Sequence, residues 1–336
     1  MCNITLVSFS MKQVTFLLAD GVLKPSCLFG AIEVLEKANE FYTNLGQRPF
    51  YDIQLAGVNL QQRLLNTSFM LQGLKDIKAV EKTDVIVIPS FDSRDDFAIN
   101  SSRDALDWVT GQYKEGAEVA SLCTGSFLLA ATGLLKGQPC STHWKAETAF
   151  RSLFPDLNLA TDKIITDHKG LYTAGGAISS LNLMLYLVEK YNGREVALYC
   201  AKVLQIDIER NSQSPFIVFE GLKAHPDEEI RTIQEYIETH IGEKVTVELL
   251  ADKCAMHRIN FSRRFKRATR IPPLDYIQRV KMEAAKRSLE AGRKNINEVM
   301  YSVGYTDIKA FRTIFKKVAG ITPQEYRSKF SHYSSP

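Results

Sequence analysis

Hydrophobic and polar positions follow two different rhythms along the 336-residue chain. Through residue 207, short apolar and β-branched runs alternate with longer amphipathic segments. Such alternation predicts a parallel sheet covered by helices, because strands that are buried on both faces read as continuous apolar runs. The predicted strands are 13–19, 51–58, 83–90 and 117–122, the predicted helices are 28–44, 101–116, 124–135, 179–193 and 194–207, and a hairpin is predicted over 163–176.

A polar segment, 209–229, interrupts this rhythm. It contains two prolines, a glycine and a cluster of polar residues, which are typical of a linker. Beyond Pro226 the strand signal disappears, and short amphipathic helices separated by turns continue to Phe330. The sequence therefore predicts an α/β domain over 1–210, a linker over 211–226 and an all-α domain over 227–331.

The all-α region contains one unit twice, over 245–278 and 296–328. Each copy has an apolar-periodic helix, a tight turn (Lys253-Cys254 in the first copy, Gly304-Tyr305 in the second) and a second helix with phenylalanines four residues apart. Repetition of this kind predicts two matched helix–turn–helix units. A plain helical bundle with two solvated faces is the alternative.

The paired phenylalanines fix which face of each second helix is exposed. Residues i and i+4 share one helix face, so Phe261 with Phe265, and Phe311 with Phe315, must pack inward. A basic outward face on such a helix suits the DNA major groove, where Arg bonds guanine and neighbouring cations neutralise phosphates. The predicted DNA-binding residues are Arg258, Ile259, Ser262, Arg263, Lys266, Lys309, Arg312, Thr313 and Lys316.

Charge is divided unevenly between the two regions. The net formal charge is +4, yet from His225 onward there are 21 basic and 14 acidic residues, so the rest of the chain is slightly acidic. A basic domain of this kind favours a polyanionic partner, although a solvated basic surface would give the same count.

At this point the C-terminal region resembles the AraC/XylS family of bacterial transcription regulators. The resemblance covers 228–330 and rests on VGYTDIKAFRTIFKKVAGITPQEYR, residues 303–327. It implies two helix–turn–helix units joined by a long helix, about 273–289, that bind promoter DNA. The first unit departs from the pattern, since His257-Arg258-Ile259 replaces Ser-Pro-Arg and Arg270 replaces glycine. We therefore expect weaker or different base reading there.

Cys123 lies where an apolar strand run meets a helical run, in VASLCTGSFLLA (119–130). Together with His143-Trp144 and TAGG (173–176), this motif resembles the PfpI branch of the class I glutamine amidotransferase-like superfamily. It is most similar to GlxA-type regulators, which fuse such a domain to an AraC-type tail. The resemblance covers 12–210 and implies a flavodoxin-like parallel-sheet α/β sandwich, followed by the all-α double helix–turn–helix domain.

Three interpretations of Cys123 remain open. In enzymes of that superfamily the elbow cysteine is the nucleophile, a histidine activates it, and an acid near the start of the first helix assists. Cys123 and His143 match the first two, but Pro25, Ser26 and Cys27 occupy the acid's region, so we treat the pair as vestigial. A small-molecule pocket built from Cys123, Thr124, Gly125 and His143 is the preferred interpretation. A buried inert thiol is the third, and sequence alone cannot place Cys27 beside Cys123.

The remaining expectations concern partners and location. The sequence contains no apolar run long enough to predict a membrane-spanning helix, and its N-terminal pattern does not indicate a signal peptide. The six cysteines form no CxxC pair, and the six histidines form no HxxH or HxH pair. We expect a cytoplasmic protein without cofactor or metal. It is expected to bind double-stranded promoter DNA as a homodimer. The resemblance implies a small, amino-acid-like effector. The alternatives are a Cys-dependent PfpI-type hydrolase with an accessory DNA-binding tail, and a nucleoid protein without sequence preference.

Overall fold

The computed structural model describes residues 10–18, 22–58, 62–63, 70–71, 73–91, 103–208 and 212–331. The chain divides into two compact units, with the boundary between Gln213 and Ser214. No helix within the described ranges is both long and apolar enough to cross a membrane.

The first unit is built around a mostly parallel sheet. The described strands are β1 (Lys12–Leu18), β2 (Tyr51–Gly57), β3 (Gln62–Arg63), β4 (Met70–Leu71), β5 (Lys75–Asp76), β6 (Val85–Ile88), β7 (Glu118–Leu122), β8 (Pro139–Cys140), β9 (Asn158–Leu159), β10 (Ile165–His168) and β11 (Leu171–Ala174). The main sheet has the order β10-β11-β7-β6-β1-β2-β5, and only β10 runs antiparallel to its neighbour. The predicted parallel sheet and its closing hairpin are confirmed.

Helices cover this sheet. They are α1 (Pro25–Asn44), α2 (Arg103–Lys114), α3 (Ser126–Ala131), α4 (Glu147–Leu153), α5 (Ser179–Asn192) and α6 (Arg194–Val203), with short 3₁₀ turns at Ile77–Ala79, Cys123–Gly125 and Trp144–Ala146. Helix α1 starts at Pro25, whose fixed φ suits the first helical position. It packs closely on α5 at Gly30, where a Cβ would lie 2.7 Å from Leu181 Cδ2. This close approach places the start of α1 over the start of α5.

The second unit is helical. After a 3₁₀ turn at Ser214–Phe216 it contains α7 (Glu228–Thr239), α8 (Val247–Lys253), α9 (Arg258–Thr269), α10 (Pro273–Glu290), α11 (Ile296–Ser302), α12 (Ile308–Ala319) and α13 (Pro323–Phe330). The predicted connecting helix corresponds to α10. Phe219 and Leu222, within the expected linker, pack on the first helical core. The linker and the domain limits therefore stay predictions, and residue 211 lies outside the described residues.

Helix α10 belongs to both helical cores. Its first half supplies Tyr276 and Ile277 to the core of α7, α8 and α9, and its second half supplies Met282 and Leu289 to the core of α11, α12 and α13. Between them, the buried Lys281 Nζ donates to the carbonyl oxygens of Glu243 (2.7 Å) and Val303 (3.0 Å). One rigid helix thus joins the two helix–turn–helix units.

Candidate functional site

The second recognition helix, α12, has the division of faces that the sequence predicts. Phe311 and Phe315 are fully buried, and Phe315 meets the Tyr326 ring edge to face at 5.5 Å. The opposite face is solvent-exposed and is formed by Lys309, Arg312, Thr313 and Lys316. Among the described residues, none of its three cations forms a salt bridge, so they are available to a polyanion.

The start of α12 is tightly capped. The Asp307 carboxylate accepts from the backbone N–H groups of Lys309 at 2.7 Å and Ala310 at 3.2 Å. A carboxylate at this position satisfies otherwise unpaired amides and complements the helix dipole. Gly320 ends the helix in the left-handed region at φ +75°, which glycine adopts without steric cost.

The first recognition helix, α9, repeats the arrangement with a less uniform surface. Phe261 and Phe265 are fully buried, and Phe265 meets Tyr276 edge to face at 5.3 Å. Ile259 is 55% exposed, which places an apolar side chain on the outward face. The other predicted contacts also lie on this face: Arg258, Arg263 and Lys266 are exposed and Ser262 is half-buried.

Two local features distinguish the first helix–turn–helix unit from the second. Arg258 Nε pairs with Glu248 Oε1 at 3.0 Å, so one of its cations is partly neutralised. The turn also differs from the expectation, which placed it at Lys253-Cys254: α8 continues through Lys253, and the left-handed residue is Ala255 at φ +49°. Ala255 therefore corresponds to Gly304, which has φ +73° in the second unit. The error arose because no glycine marks the turn.

In the α/β unit, which ends at Gln213, Cys123 forms a strained elbow between β7 and α3. Its φ is +56°, in the left-handed region that a non-glycine residue enters only at a cost of about 1–3 kcal/mol. The hydroxyls of Ser126 (3.0 Å) and Thr142 (3.3 Å) donate to the Cys123 carbonyl oxygen and hold the elbow. At Gly125 a Cβ would lie 2.3 Å from the Ile88 carbonyl oxygen, so only glycine fits against β6.

The Cys123 thiol is fully buried and faces Cys27 in the first turn of α1. The pKa of Cys123 is lowered to about 6, chiefly by a hydrogen bond with Cys27 and then by Ser90, Lys24 and the Thr124 amide, while burial acts in the opposite direction. The same bond and burial raise the pKa of Cys27 well above its usual range. Cys27 thus lies in the region where the resemblance implies an acid, and its thiol stays neutral beside Cys123 and donates to the Ala177 carbonyl oxygen at 3.9 Å.

His143 does not complete a catalytic dyad with Cys123. No hydrogen bond joins the two side chains in the described part of the chain. His143 Nδ1 accepts from the Lys145 amide at 3.1 Å, and burial, followed by the charges of Lys24 and Lys145, lowers the pKa of His143. A neutral imidazole with its proton on Nε2 is the result.

The other predicted pocket residues are committed to the fold. Thr124 is buried, its hydroxyl lies 2.7 Å from Ser90 Oγ, and it donates to the Phe91 carbonyl at 2.5 Å. Gly125 is enclosed against β6. The described residues also contain no cluster of three or more His, Cys, Asp or Glu side chains that could hold a metal ion.

Comparison with known proteins agrees with both halves. The family profile described as DJ-1/PfpI matches residues 51–190, and the profile described as a helix-turn-helix domain matches residues 250–329. The HTH-type transcriptional regulator CdhR of Pseudomonas aeruginosa is 22% identical over 302 residues, covering 89% of this chain and 86% of that protein. The HTH-type transcriptional regulator GlxA of Rhizobium meliloti is 24% identical over 220 residues, covering 64% of this chain and 66% of that protein.

The chain joins a DJ-1/PfpI domain to an AraC-type helix–turn–helix domain. Another relative, the HTH-type transcriptional regulator GbdR of P. aeruginosa, is 23% identical over 227 residues, which cover 67% of this chain and 62% of GbdR. The match therefore spans less than two thirds of that relative. The fold is also similar to that of a crystal structure of a putative transcriptional regulator protein from Vibrio parahaemolyticus, with a TM-score of 0.52, 21% identity, and coverage of 58% of this chain and all of that one.

The DJ-1/PfpI domain also contains polar groups that the sequence did not single out. The charge of Lys24 lowers the pKa of both Cys123 and His143, and a hydrogen bond with Ser90 lowers the pKa of Cys123 further. Ser179 and Gln213 are buried beside His143 around Gly176. No local motif marks these residues, because they come from separate loops that meet only at the end of the sheet.

Proposed function

We propose that this protein is a sequence-specific DNA-binding transcription regulator whose DJ-1/PfpI domain senses a small metabolite. The observation that supports it most directly is the pair of exposed, basic recognition helices. Each packs through a Phe–Tyr contact with the helix that follows it, and one connecting helix contributes to both cores. CdhR, whose alignment covers 89% of this chain and therefore reaches into both halves, is named as a transcriptional regulator. Two such helices presented by one unit suit adjacent major grooves about 34 Å apart.

The sensing site is proposed at the Cys123 elbow. The proposed contacts are Cys123, Thr124, Gly125 and His143. Of these, His143 is half-buried, while Cys123, Thr124 and Gly125 are buried and form the elbow, Thr124 and Gly125 through their contacts with Phe91 and β6. A ligand regulates DNA binding only if it binds one arrangement of the protein better than another. We propose further that the protein acts in the cytoplasm as a homodimer, which sedimentation of the full chain at several concentrations would test.

The test of DNA binding is fluorescence anisotropy with the full-length protein. Duplexes from the region upstream of its own gene are compared with scrambled duplexes of equal composition, over a salt series. We expect a preference of about 10³-fold or more for one duplex, with affinity falling steeply as salt rises. Equal affinity for every duplex, across the salt series and with a random-sequence selection, would contradict sequence-specific regulation and favour a nucleoid protein.

A second candidate, a Cys-dependent hydrolase, is supported by the lowered pKa of Cys123. The isonitrile hydratase of Pseudomonas putida is 26% identical over 191 residues, covering 56% of this chain and 78% of that protein. Two observations argue against it: Cys123 is buried, and no hydrogen bond joins its side chain to that of His143 among the described residues. The alkylation rate of Cys123 should rise as pH passes about 6 yet stay slow, because the thiol is buried.

Cys123→Ser separates the two candidates. It should abolish that alkylation while leaving the DNA preference of the ligand-free protein unchanged. Rapid alkylation together with turnover of an isonitrile or amide substrate that Cys123→Ser abolishes would support the enzyme instead.

A further inference from the structure

The segment that enters the helical unit lies against the connecting helix α10 and contacts both helix–turn–helix units. It comprises residues 216–222, which we call the entry strap, and it precedes α7. The Phe219 ring meets Tyr276 of the first helical core edge to face, with ring centroids 5.3 Å apart. The Phe216 ring meets Phe330, which packs on the second helical core, edge to face at 5.5 Å. The entry strap therefore bridges the two cores.

Each of these contacts continues to the inner face of a recognition helix. Tyr276 packs edge to face on Phe265 of α9 at 5.3 Å. On the other side, the Phe330 ring lies 4.6 Å from the Tyr326 ring, and Tyr326 packs on Phe315 of α12 at 5.5 Å. Close-packed interiors transmit displacements from one side chain to the next. A shift of the entry strap would therefore reach both recognition helices through continuous chains of aromatic rings.

A buried ion pair on α10 clamps the middle of the entry strap. Lys286 Nζ donates to the Ile217 carbonyl oxygen, and the Phe219 amide donates to Glu283 Oε2 at 3.2 Å. Glu283 and Lys286 are both buried, and they pair with each other at 3.2 Å. These bonds fix the register of the entry strap along α10, because a shift by one residue would leave buried charged groups without their backbone partners.

Stability alone is a poor explanation for this ion pair. Taking two charges out of water costs much of what their attraction returns, so apolar residues of similar volume usually stabilise a core at least as well. A buried ion pair can instead fix one geometry, since other arrangements leave its members unpaired. Because α10 belongs to both helical cores, the geometry fixed here is that of the entry strap against both helix–turn–helix units.

We propose that Phe216 and Phe219 are positioning residues for DNA binding. The entry strap, clamped on α10 by the buried ion pair, sets the separation and rotation of the two recognition helices. Helices that read successive major grooves must match the helical repeat of DNA, about 10–10.5 base pairs. The entry strap begins three residues after Gln213, the last residue of the α/β unit, so a change in that unit that displaces the strap alters both helices at once. Its use in regulation rests on the proposed function.

The first test measures how DNA affinity depends on the spacing of the two half-sites. Fluorescence anisotropy compares the preferred duplex, whose half-sites are located by footprinting, with duplexes that carry one or two extra base pairs between them. We expect wild-type affinity to fall about tenfold or more per extra base pair, because each one rotates one groove relative to the other by about 35°. In the Phe216→Ala/Phe219→Ala double variant, that factor should drop to about threefold or less, since the helices are no longer preorganised.

Matched variants separate positioning from loss of folded protein. Val218→Ala changes the same strap at a side chain that is 41% exposed, so it should behave as the wild type. Phe219→Leu keeps an apolar contact and should recover most of the spacing dependence. Partial unfolding lowers the active fraction equally for every duplex and leaves the affinity ratio unchanged. Lys286→Met is not the primary variant, because it leaves Glu283 buried without its partner.

The second test needs no DNA. Spin labels are attached to genetically encoded azido residues at the exposed positions Arg267 in α9 and Ala310 in α12, which leaves the native cysteines untouched. Double electron–electron resonance on the full-length protein should give one narrow distance distribution in the wild type and in Val218→Ala. The Phe216→Ala/Phe219→Ala double variant should give a clearly broader one.

The outcomes separate the positioning role from the regulator. Unchanged label distances in the double variant would overturn the positioning role. So would a wild type that tolerates the extra base pairs, or a double variant that reproduces the wild-type spacing profile. Broader distances together with a flattened spacing profile would support it. If the wild type prefers no duplex, the proposed function fails, and the label distances still decide whether the entry strap positions the two helices.

Discussion

The two helix–turn–helix units share one core and differ at the ends of their recognition helices. In both, a fully buried phenylalanine meets a tyrosine from the following helix edge to face, at 5.3 Å in the first unit and 5.5 Å in the second. The caps are not equivalent: His257 Nδ1 accepts from the Ile259 amide at 3.5 Å, whereas Asp307 accepts from the Lys309 amide at 2.7 Å. The helical scaffold is thus conserved between the copies while the helix ends vary.

The C-terminal ends differ in the same direction. Arg270 and Gly320 both end their helices in the left-handed region, at φ +66° and +75°. Arginine has a Cβ and pays a steric cost there that glycine does not. In the second helix–turn–helix unit, the residues at both ends of the recognition helix therefore favour the conformation that they adopt. The stability of the first helix–turn–helix unit depends more on packing around Phe261 and Phe265.

The largest expected effect is loss of either aromatic core. Phe265→Ala and Phe315→Ala should each lower the free energy of unfolding of the second compact unit by about 3–5 kcal/mol, since each leaves a large buried cavity. Helical circular dichroism during denaturation measures this. Both tryptophans lie in the first unit, so their fluorescence transition should not move. A much smaller cost for one variant would show that the two cores are unequal.

Next is the effect on DNA. Arg312→Ala should weaken binding to the preferred duplex by about 1–3 kcal/mol, because Arg312 is exposed, without a salt bridge in the described structure, and centred on the outward face of α12. Arg293→Ala, which removes another exposed charge, from a loop outside both recognition helices, is the control. Equal affinities of wild type and Arg312→Ala would remove Arg312 from the reading surface.

Smaller still is the effect of the N-terminal caps. Asp307→Ala should cost about 1 kcal/mol, the usual worth of a well-formed cap, while His257→Ala should cost less than about 0.5 kcal/mol because its bond is long. Denaturation followed by circular dichroism compares the two. If His257→Ala were as destabilising as Asp307→Ala, the proposed inequality of the caps would be wrong.

Effects of similar size are expected at the C-terminal ends of the recognition helices. Arg270→Gly should stabilise the second compact unit by about 0.5–1 kcal/mol, because it relieves the left-handed strain. Gly320→Ala should destabilise it by about 1 kcal/mol for the converse reason. The two changes are measured in the same denaturation experiment. Destabilisation by Arg270→Gly would mean that the arginine side chain makes a compensating contact.

Several elements could be predicted from the sequence because their signals are local. The boundaries of β2 and α5 fall within one residue of the predicted ones, and the outward faces of α9 and α12 follow from the spacing of their phenylalanines. By contrast, α4 and the two-residue strands were missed, since runs so short have no clear period. The turn that contains Ala255 was predicted too early in the chain, because no glycine marks it.

By itself, the sequence determined the parallel sheet, the two helix–turn–helix units and the elbow at Cys123, since side-chain period and turn chemistry act between near neighbours. The tertiary structure alone decided that Cys27 meets Cys123, that His143 does not, and that Gln213 inserts beside Ser179. The reason is physical. A parallel sheet gathers the ends of strands and helices that lie far apart in the chain, so contacts there depend on packing and leave no periodic trace in the sequence.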